Sequence, residues 1–184
     1  MLALYGHPFS SYTWKALIAL YANATPFTFH SLDAENPDHE AAYARVREAS
    51  PMGKFPLLVD GSRVVFEATS IVEYLALHYP GPAPLIPADA DQAIGTRMID
   101  RVFDNYVMNA MQDSVDDAIR HGSVSAEVQA RVEERVTQAY RWINHWLAGY
   151  QMPKSVSLIE CAAAPSLFYA DWVVRIPEDC ARLR

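Results

Sequence analysis

A proline-rich segment divides this chain into two parts with different sequence patterns. Four prolines lie between residues 80 and 87. Proline fixes φ and lacks the amide hydrogen that a helix interior needs, so this segment is a stiff connector. Strand and helix patterns alternate before it, whereas only helical patterns follow it. The sequence therefore predicts a domain at residues 1–79, a linker at 80–90 and an all-helical domain at 91–184.

The first domain shows the order β-α-β-α-β-β-α. The predicted strands are residues 2–5, a segment from 27 to about 32, and a hairpin of 57–59 and 63–66 around Asp60-Gly61; the predicted helices begin near Ser10 and cover 37–49 and 67–79. In the first helix, the spacing of Trp14, Leu17, Ile18 and Tyr21 predicts the apolar face. Strands separated by helices are expected to pair in parallel, and the hairpin adds an antiparallel edge. This order is typical of a thioredoxin-like domain.

The second domain is predicted to contain helices only. Residues 91 to about 120 and 125–147 show helical periodicity, and Ser157 begins a third helix that continues past Trp172. The predicted fold class is therefore α/β plus all-α, in which a thioredoxin-like domain is followed by an α-helical bundle.

Composition and charge exclude several classes of function. Asp and Glu outnumber Lys and Arg by 22 to 15, so the net charge of −7 gives no basic face for nucleic acid. The two cysteines, Cys161 and Cys180, and the six histidines show no metal-ligand spacing. No glycine-rich phosphate loop occurs. We therefore expect no metal, no nucleotide cofactor and no nucleic-acid partner.

The hydropathy pattern predicts a cytoplasmic protein that does not associate with membranes. No window approaches eighteen uninterrupted apolar residues, which a membrane-spanning helix would need. The chain opens with a strand-like run and shows no secretory signal.

The segment from Gly53 to Leu58 contains a proline at the entry to a predicted strand. Proline lacks the N–H that a central ladder position needs. A cis Phe55–Pro56 bond would turn the preceding backbone outward, where it could pair with a ligand. The alternative is an ordinary trans proline at the first residue of an edge strand.

The start of the helix at Glu67-Ala68-Thr69 is a candidate anion site. Backbone N–H groups in a first helical turn have no intrahelical partner, and the helix dipole is positive there, so a carboxylate could dock. Glu67 itself would suit a ligand ammonium. The alternative is that Glu67 or Thr69 only caps the helix.

Three hydroxyl groups lie where the first strand gives way to the first helix, on Tyr5, Ser10 and Ser11. A hydroxyl there could donate a hydrogen bond to a bound thiolate and so favour the ionised form. The alternative is that one serine caps the helix while Tyr5 packs in the core.

Taken together, these segments resemble a cytosolic glutathione transferase from Met1 to about Trp172. The resemblance rests on the order and spacing of residues 52–58, residues 67–75, the proline-rich linker and Ser157-Leu158-Ile159-Glu160. The opening at residues 5–11 is similar to the serine-type members, such as the theta and zeta classes and many bacterial enzymes.

The resemblance implies a role for each part of the candidate glutathione site. Phe55 would pair its backbone with the cysteinyl part of glutathione, just before a cis Pro56. Glu67 and Ala68 would hold the γ-glutamyl end, and Lys54 would approach the glycine carboxylate.

The resemblance also implies the catalytic hydroxyl. Ser10 best matches the catalytic serine, Ser11 comes second, and Tyr5 is the alternative that other classes use. The serine would stabilise the thiolate without forming a covalent intermediate. No cysteine occurs in the first 160 residues, which disfavours glutaredoxin-like redox chemistry at this site.

Three features depart from the family pattern. Ala68 stands where the family usually has serine, which removes one hydrogen bond to the γ-glutamyl carboxylate, worth about 1–3 kcal/mol, unless Thr69 replaces it. Ile159 and Glu160 occupy the last two places of a helix-capping motif that usually ends in aspartate, although Ser157 and Glu160 still suit a capping box. The chain ends seven residues after Pro177, so a short helical domain is predicted.

The function implied by the resemblance is conjugation of glutathione to small apolar electrophiles, as in detoxification, by a homodimer with glutathione as co-substrate. The electrophile would lie in an apolar cleft to which Tyr106, Met108 and Met111 contribute, unless these residues only pack between helices. Two alternatives remain. One is a non-catalytic binding module with the same fold, and the other is a different glutathione-dependent reaction, such as isomerisation, dehalogenation or peroxide reduction.

Overall fold

The computed structural model describes all 184 residues, which form four strands, seven α-helices and one π-helical segment. The strands are β1 (Leu2–Gly6), β2 (Thr28–Ser31), β3 (Leu57–Asp60) and β4 (Arg63–Phe66). The helices are α1 (Ser11–Ala22), α2 (His39–Ala49), α3 (Ala68–His78), α4 (Ala90–Val102), α5 (Asn109–His121), α6 (Ala126–Trp146) and α7 (Leu158–Val173). The thioredoxin-like order followed by helices is confirmed.

The helix predicted over residues 91–120 is interrupted. A π-helical segment, Phe103–Met108, separates α4 from α5. Such wide turns are uncommon and have no simple sequence signature, so hydrophobic periodicity alone indicated a single helix. None of the helices combines the length and apolar character that crossing a membrane requires.

The chain divides into two compact units. The first consists of residues 1–96 and 155–165, and the second of residues 97–154 and 166–184. The first therefore contains the sheet, α1–α3 and the first turns of α7. In the second, α6 buries Val132, Val136, Tyr140 and Ile143.

The four strands have the order β2-β1-β3-β4. The expected parallel pairing is confirmed for β1 and β2, but β3 runs antiparallel to β1, which corrects the expectation for strands separated by helices. The physical reason is that the chain enters β3 at the end of the sheet where β1 finishes. Leu57 at the start of β3 pairs with Tyr5 near the end of β1, so β3 must run back along β1.

Helices cover both faces of the sheet. On one face, α1 and α3 pack on Leu4 and Leu58, all within one apolar cluster. On the other face, α2 packs through Ala42 and Val46 on Leu57 in a second cluster. Because side chains alternate along a strand, Tyr5 lies on the α2 face while Leu4 lies on the α1 face.

The first turn of α7 is capped as the sequence predicts. The Ser157 backbone N–H donates to Glu160 Oε2 at 2.8 Å, and the Ile159 N–H donates to Ser157 Oγ at 3.2 Å. The Leu158 N–H donates to the Leu85 carbonyl at 2.8 Å, which ties α7 to the proline-rich segment.

Candidate functional site

The sheet topology brings three predicted segments to one end of the sheet. The end of β1 leads to Ser10, the start of β3 follows Phe55-Pro56, and the end of β4 leads to Glu67. The register places these strand ends side by side, because Leu57 pairs with both Tyr5 and Phe66. The segments lie far apart in sequence, so the sheet is what makes them neighbours.

The Phe55–Pro56 peptide bond is cis, which decides between the two alternatives that the sequence left open. Pro56 is buried, and the half-buried Phe55 ring lies 6.2 Å from the His7 ring and 6.3 Å from the Tyr43 ring between centroids. Lys54, the preceding residue, is exposed. Aromatic contacts therefore hold Phe55 beside the loop that leads into α1.

Ser10 is the N-cap residue of α1. Its Oγ accepts a hydrogen bond from the Thr13 backbone N–H at 3.2 Å, and its backbone is extended, with φ −92° and ψ 125°. A serine hydroxyl has one donor and two acceptor sites, so this bond uses an acceptor site and leaves the hydroxyl hydrogen uncommitted by it. Ser10 is half-buried. Capping and donation to a ligand are therefore compatible.

The loop before Ser10 is fixed by two further hydrogen bonds. Trp14 Nε1 donates to the Pro8 carbonyl at 2.6 Å, and the Ser10 N–H donates to the His7 carbonyl at 3.0 Å. These two bonds fix the backbone that leads to Ser10, and the bond from Thr13 fixes its side chain.

The two other candidate hydroxyls have different surroundings. Ser11 is only 7% exposed, within the first turn of α1. Tyr5 is half-buried and stacks on His30, with ring centroids 4.4 Å apart. Because Tyr5 packs with the α2 cluster, its ring lies on the opposite face of the sheet from α1.

Glu67 occupies the N-cap position of α3 without capping it through its side chain. It is exposed and has φ 69°, a conformation that non-glycine residues seldom adopt. Its carbonyl accepts the Ile71 N–H at 2.9 Å. No acidic residue lies within the first turn of α3 itself, so the carboxylate nearest to the positive end of its dipole is that of Glu67 at the N-cap, whose side chain does not bond to the helix. The arrangement suits a ligand carboxylate.

Ala68 and Thr69 are both buried, at 6% and 5% exposure. Thr69 Oγ1 accepts a hydrogen bond from Lys15 Nζ at 2.8 Å. Lys15 is a functional candidate that the sequence pattern did not indicate, because a charged residue lies outside the apolar face predicted for α1. In the structure it shares the buried face of α1 with Ser11 and Ala19, which lie four residues away on either side.

The three residues predicted to contribute to an apolar electrophile cleft belong to the second unit. Met108 and Met111 are buried in the second unit, whereas Tyr106 is 62% exposed. No group of three or more His, Cys, Asp or Glu side chains converges as a metal site would require.

The first part of the chain is similar in sequence to known proteins. Residues 4–83 match the family described as glutathione S-transferase, N-terminal domain. A stringent starvation protein A homolog from Coxiella burnetii is 32% identical over 87 residues, 47% of this chain and 39% of that protein. A probable maleylacetoacetate isomerase from Caenorhabditis elegans is 30% identical over 96 residues, 52% of this chain and 43% of that protein. The chain thus matches about two fifths of the length of these curated relatives.

Two solved structures have the same fold along almost the whole chain. A glutathione S-transferase from Methylobacillus flagellatus with glutathione bound is 23% identical, with a TM-score of 0.80, covering 100% of this chain and 92% of that one. A bacterial maleyl pyruvate isomerase, a zeta-class glutathione S-transferase, is 20% identical, with a TM-score of 0.78, covering 98% and 89%.

Proposed function

We propose that this chain is a member of the glutathione transferase superfamily, that it binds glutathione at the sheet end described above, and that it transfers the thiolate to a small apolar electrophile. The observation that carries the proposal is the geometry of Ser10. Its hydroxyl caps α1 as an acceptor, so its hydrogen can point to a thiolate.

The N-terminus of α1 adds to this effect. The first N–H groups of a helix and the positive end of its dipole favour an anion nearby. A hydrogen bond to the charged form and a positive local field both lower the pKa of a bound thiol. Glutathione would therefore ionise more readily at this position than in water.

The rest of the tripeptide is proposed to lie across the same sheet end. The backbone of Phe55, before the cis Pro56, pairs with the cysteinyl part. The γ-glutamyl carboxylate lies at the N-terminus of α3, and the exposed Glu67 faces the ammonium group. Lys54, also exposed, approaches the glycine carboxylate.

On ionisation the thiol releases its proton to solvent. The thiolate sulfur then forms a bond to the electrophilic carbon. In a substitution, the bond from that carbon to the leaving group breaks and the leaving group takes the electron pair. In an addition, the electron pair of the double bond moves onto the neighbouring atom, which takes a proton from solvent. Ser10 keeps its own hydrogen throughout and only donates a hydrogen bond. We further propose a cytoplasmic homodimer, for which the family resemblance is the support.

A second candidate is glutathione-dependent isomerisation. It is favoured because one curated relative is a probable maleylacetoacetate isomerase and one structural relative is a maleyl pyruvate isomerase. In that reaction the thiolate adds to one carbon of a cis double bond, and the electron pair of that bond moves onto the conjugated carbonyl. The resulting single bond rotates, and the electron pair returns to form the trans double bond as the thiolate leaves. The same Ser10 geometry would serve it.

Calorimetric titration with glutathione, followed by the ultraviolet absorbance of the bound thiolate, tests the binding step. Turnover of chloroaromatic electrophiles, compared with isomerisation of maleyl compounds, then distinguishes the two reactions. We expect binding, ionised thiol at neutral pH, and conjugation. Binding without turnover of either substrate class would favour a non-catalytic module, and no binding would contradict the proposal.

A further inference from the structure

Lys15 is one of the most deeply buried polar residues of the first unit, at 1% exposure. Lysine is almost never fully buried unless its ammonium group is paired. Here Nζ donates to Thr69 Oγ1 at 2.8 Å, across 54 positions of sequence. The bond joins α1, which begins after Ser10, to the first turn of α3, which begins after Glu67.

The Lys15 contact shows which way the Thr69 hydroxyl faces. Its oxygen accepts from an ammonium group that is itself shielded from solvent, so it faces the interior. Accepting this bond leaves the Thr69 hydroxyl hydrogen uncommitted by it. Successive residues of a helix point about 100° apart, however, so the Thr69 side chain does not take the direction of a side chain at position 68. Ala68 has no polar side-chain atom. A carboxylate aligned with position 68 therefore has the backbone N–H groups of the first turn as its donors.

Recognition by backbone N–H groups is sensitive to position. A hydrogen bond weakens steeply as its angle and distance depart from the optimum. A serine side chain can adjust by rotating, whereas a backbone N–H moves only with its helix. Contacts that hold the first turn of α3 in place therefore contribute to the affinity for a carboxylate.

We propose that Lys15 is a positioning residue for recognition of the γ-glutamyl carboxylate, an inference that rests on the proposed function. By holding Thr69, Lys15 holds the N–H groups of the first turn of α3. It also sets the distance between the thiol position and the γ-glutamyl carboxylate position, because α1 carries Ser10 at its N-cap. Lys15 lies about 7.5 Å along α1 from that cap, at 1.5 Å per residue.

The test compares two ligands. One is glutathione, and the other is γ-aminobutyryl-cysteinyl-glycine, which is glutathione without the γ-glutamyl α-carboxylate. The ratio of their dissociation constants reports the carboxylate contact alone. A charge-assisted hydrogen bond contributes enough that the wild-type ratio should be about tenfold or more. We expect Lys15→Met to reduce this ratio by about three- to tenfold.

The matched control is Lys154→Met, which removes an exposed lysine of the second unit and should keep the wild-type ratio. A second pair of variants guards against misfolding of Lys15→Met. Thr69→Val removes the acceptor oxygen and should lower the ratio, whereas Thr69→Ser keeps the hydroxyl and should preserve it. Thermal denaturation of each variant establishes that it is folded.

The outcomes are distinct. If Lys15→Met and Thr69→Val weaken both ligands equally, so that the ratio stays at its wild-type value, the positioning role is overturned and the proposed function stands. If Lys15→Met does not fold, a wild-type ratio in Thr69→Val overturns the role by itself. If the wild-type protein binds neither ligand, the proposed function fails and this inference fails with it.

Discussion

The Ser10 hydroxyl accepts the Thr13 backbone N–H at 3.2 Å, so the residue proposed to hold the thiolate is also the residue at which α1 begins. One side chain thus has a structural and a chemical task, and its removal should affect both. The unfolding free energy measures the structural task, because the N-cap bond contributes to stability. The kinetics and the pKa of the bound thiol measure the chemical task, because the free hydroxyl hydrogen acts on the thiol.

Ser10→Ala is expected to lower kcat by about tenfold or more, because a hydrogen bond to a charged group is worth about 1.5–3 kcal/mol. The pKa of bound glutathione should rise towards its free value, and the dissociation constant should change little. The readouts are steady-state kinetics and a pH titration of thiolate absorbance.

The control for Ser10→Ala is Ser125→Ala. Ser125 caps α6 in the same way, by accepting the Val128 N–H at 3.4 Å, but lies in the second unit. Both variants should lose about 1 kcal/mol of unfolding free energy, and only Ser10→Ala should lose activity. Full activity of Ser10→Ala, with loss in Ser11→Ala or Tyr5→Phe, would show that the hydroxyl was assigned wrongly.

Ala68→Ser is expected to tighten glutathione binding by about three- to tenfold, or roughly 0.7–1.4 kcal/mol. The added hydroxyl could donate to the γ-glutamyl carboxylate, and the cost of desolvating it reduces the gain. Calorimetry on both proteins measures the change.

The matched control for this substitution is Ala126→Ser, which places serine at the first position of α6, outside the proposed site. It should leave binding unchanged. Equal affinities of wild type and Ala68→Ser would mean that the carboxylate is not held at the start of α3.

Local rules account for the parts of this structure that the sequence predicted. The hairpin forms around Gly61, which has φ 60° and lies in the turn between β3 and β4. Ser157 and Glu160 cap α7 because their spacing allows both hydrogen bonds. Each of these features depends on residues within a few positions of one another.

The features that the sequence missed depend on distant residues. The direction of β3 follows from where the chain enters the sheet, which no local pattern encodes. The apolar spacing in α1 was misleading as well: Tyr21 is 70% exposed, whereas Lys15 and Thr13 are buried. The strand β1 and the helix α1 approach closely at Gly6, where a Cβ would lie 2.5 Å from Thr13 Cγ2. Small and polar residues can face a core when the backbones are this near.

A buried hydroxyl in the second unit gives a stability prediction. Tyr140 is fully buried, and its hydroxyl donates to the Val174 carbonyl at 3.1 Å. Tyr140→Phe keeps the ring but leaves that carbonyl without this donor, which should cost about 1–3 kcal/mol of unfolding free energy. Urea denaturation measures it. Trp142→Phe, at a site 44% exposed on the same helix, is the comparison and should cost less. Equal losses would contradict the role of the hydrogen bond.

Asp60 gives a prediction for pH dependence. Its carboxylate accepts hydrogen bonds from Tyr79 at 2.6 Å and from Tyr74 at 2.8 Å. These bonds, that of Tyr79 first, lower the pKa of Asp60, and the bond to Asp60 raises the pKa of Tyr79 to about 12. Because the folded pKa of Asp60 is depressed, its contribution to stability is present above its unfolded pKa of about 3.9 and is lost as pH falls through the folded value. Because the folded pKa of Tyr79 is raised, its contribution is present below about pH 10 and is lost as pH rises through its folded pKa.

Tyr79→Phe should therefore lower the unfolding free energy at neutral pH, and the difference from wild type should shrink at both acid and strongly alkaline pH. Urea denaturation across the pH range measures this difference. In a titration of phenolate absorbance, the variant should lack the tyrosine whose pKa is raised to about 12. Tyr21→Phe is the control, because that ring is 70% exposed and only contacts Phe27 edge-on. A stability difference for Tyr79→Phe that stays constant from acid to alkaline pH would show that the Asp60 bond is not its source, since packing of the ring does not titrate.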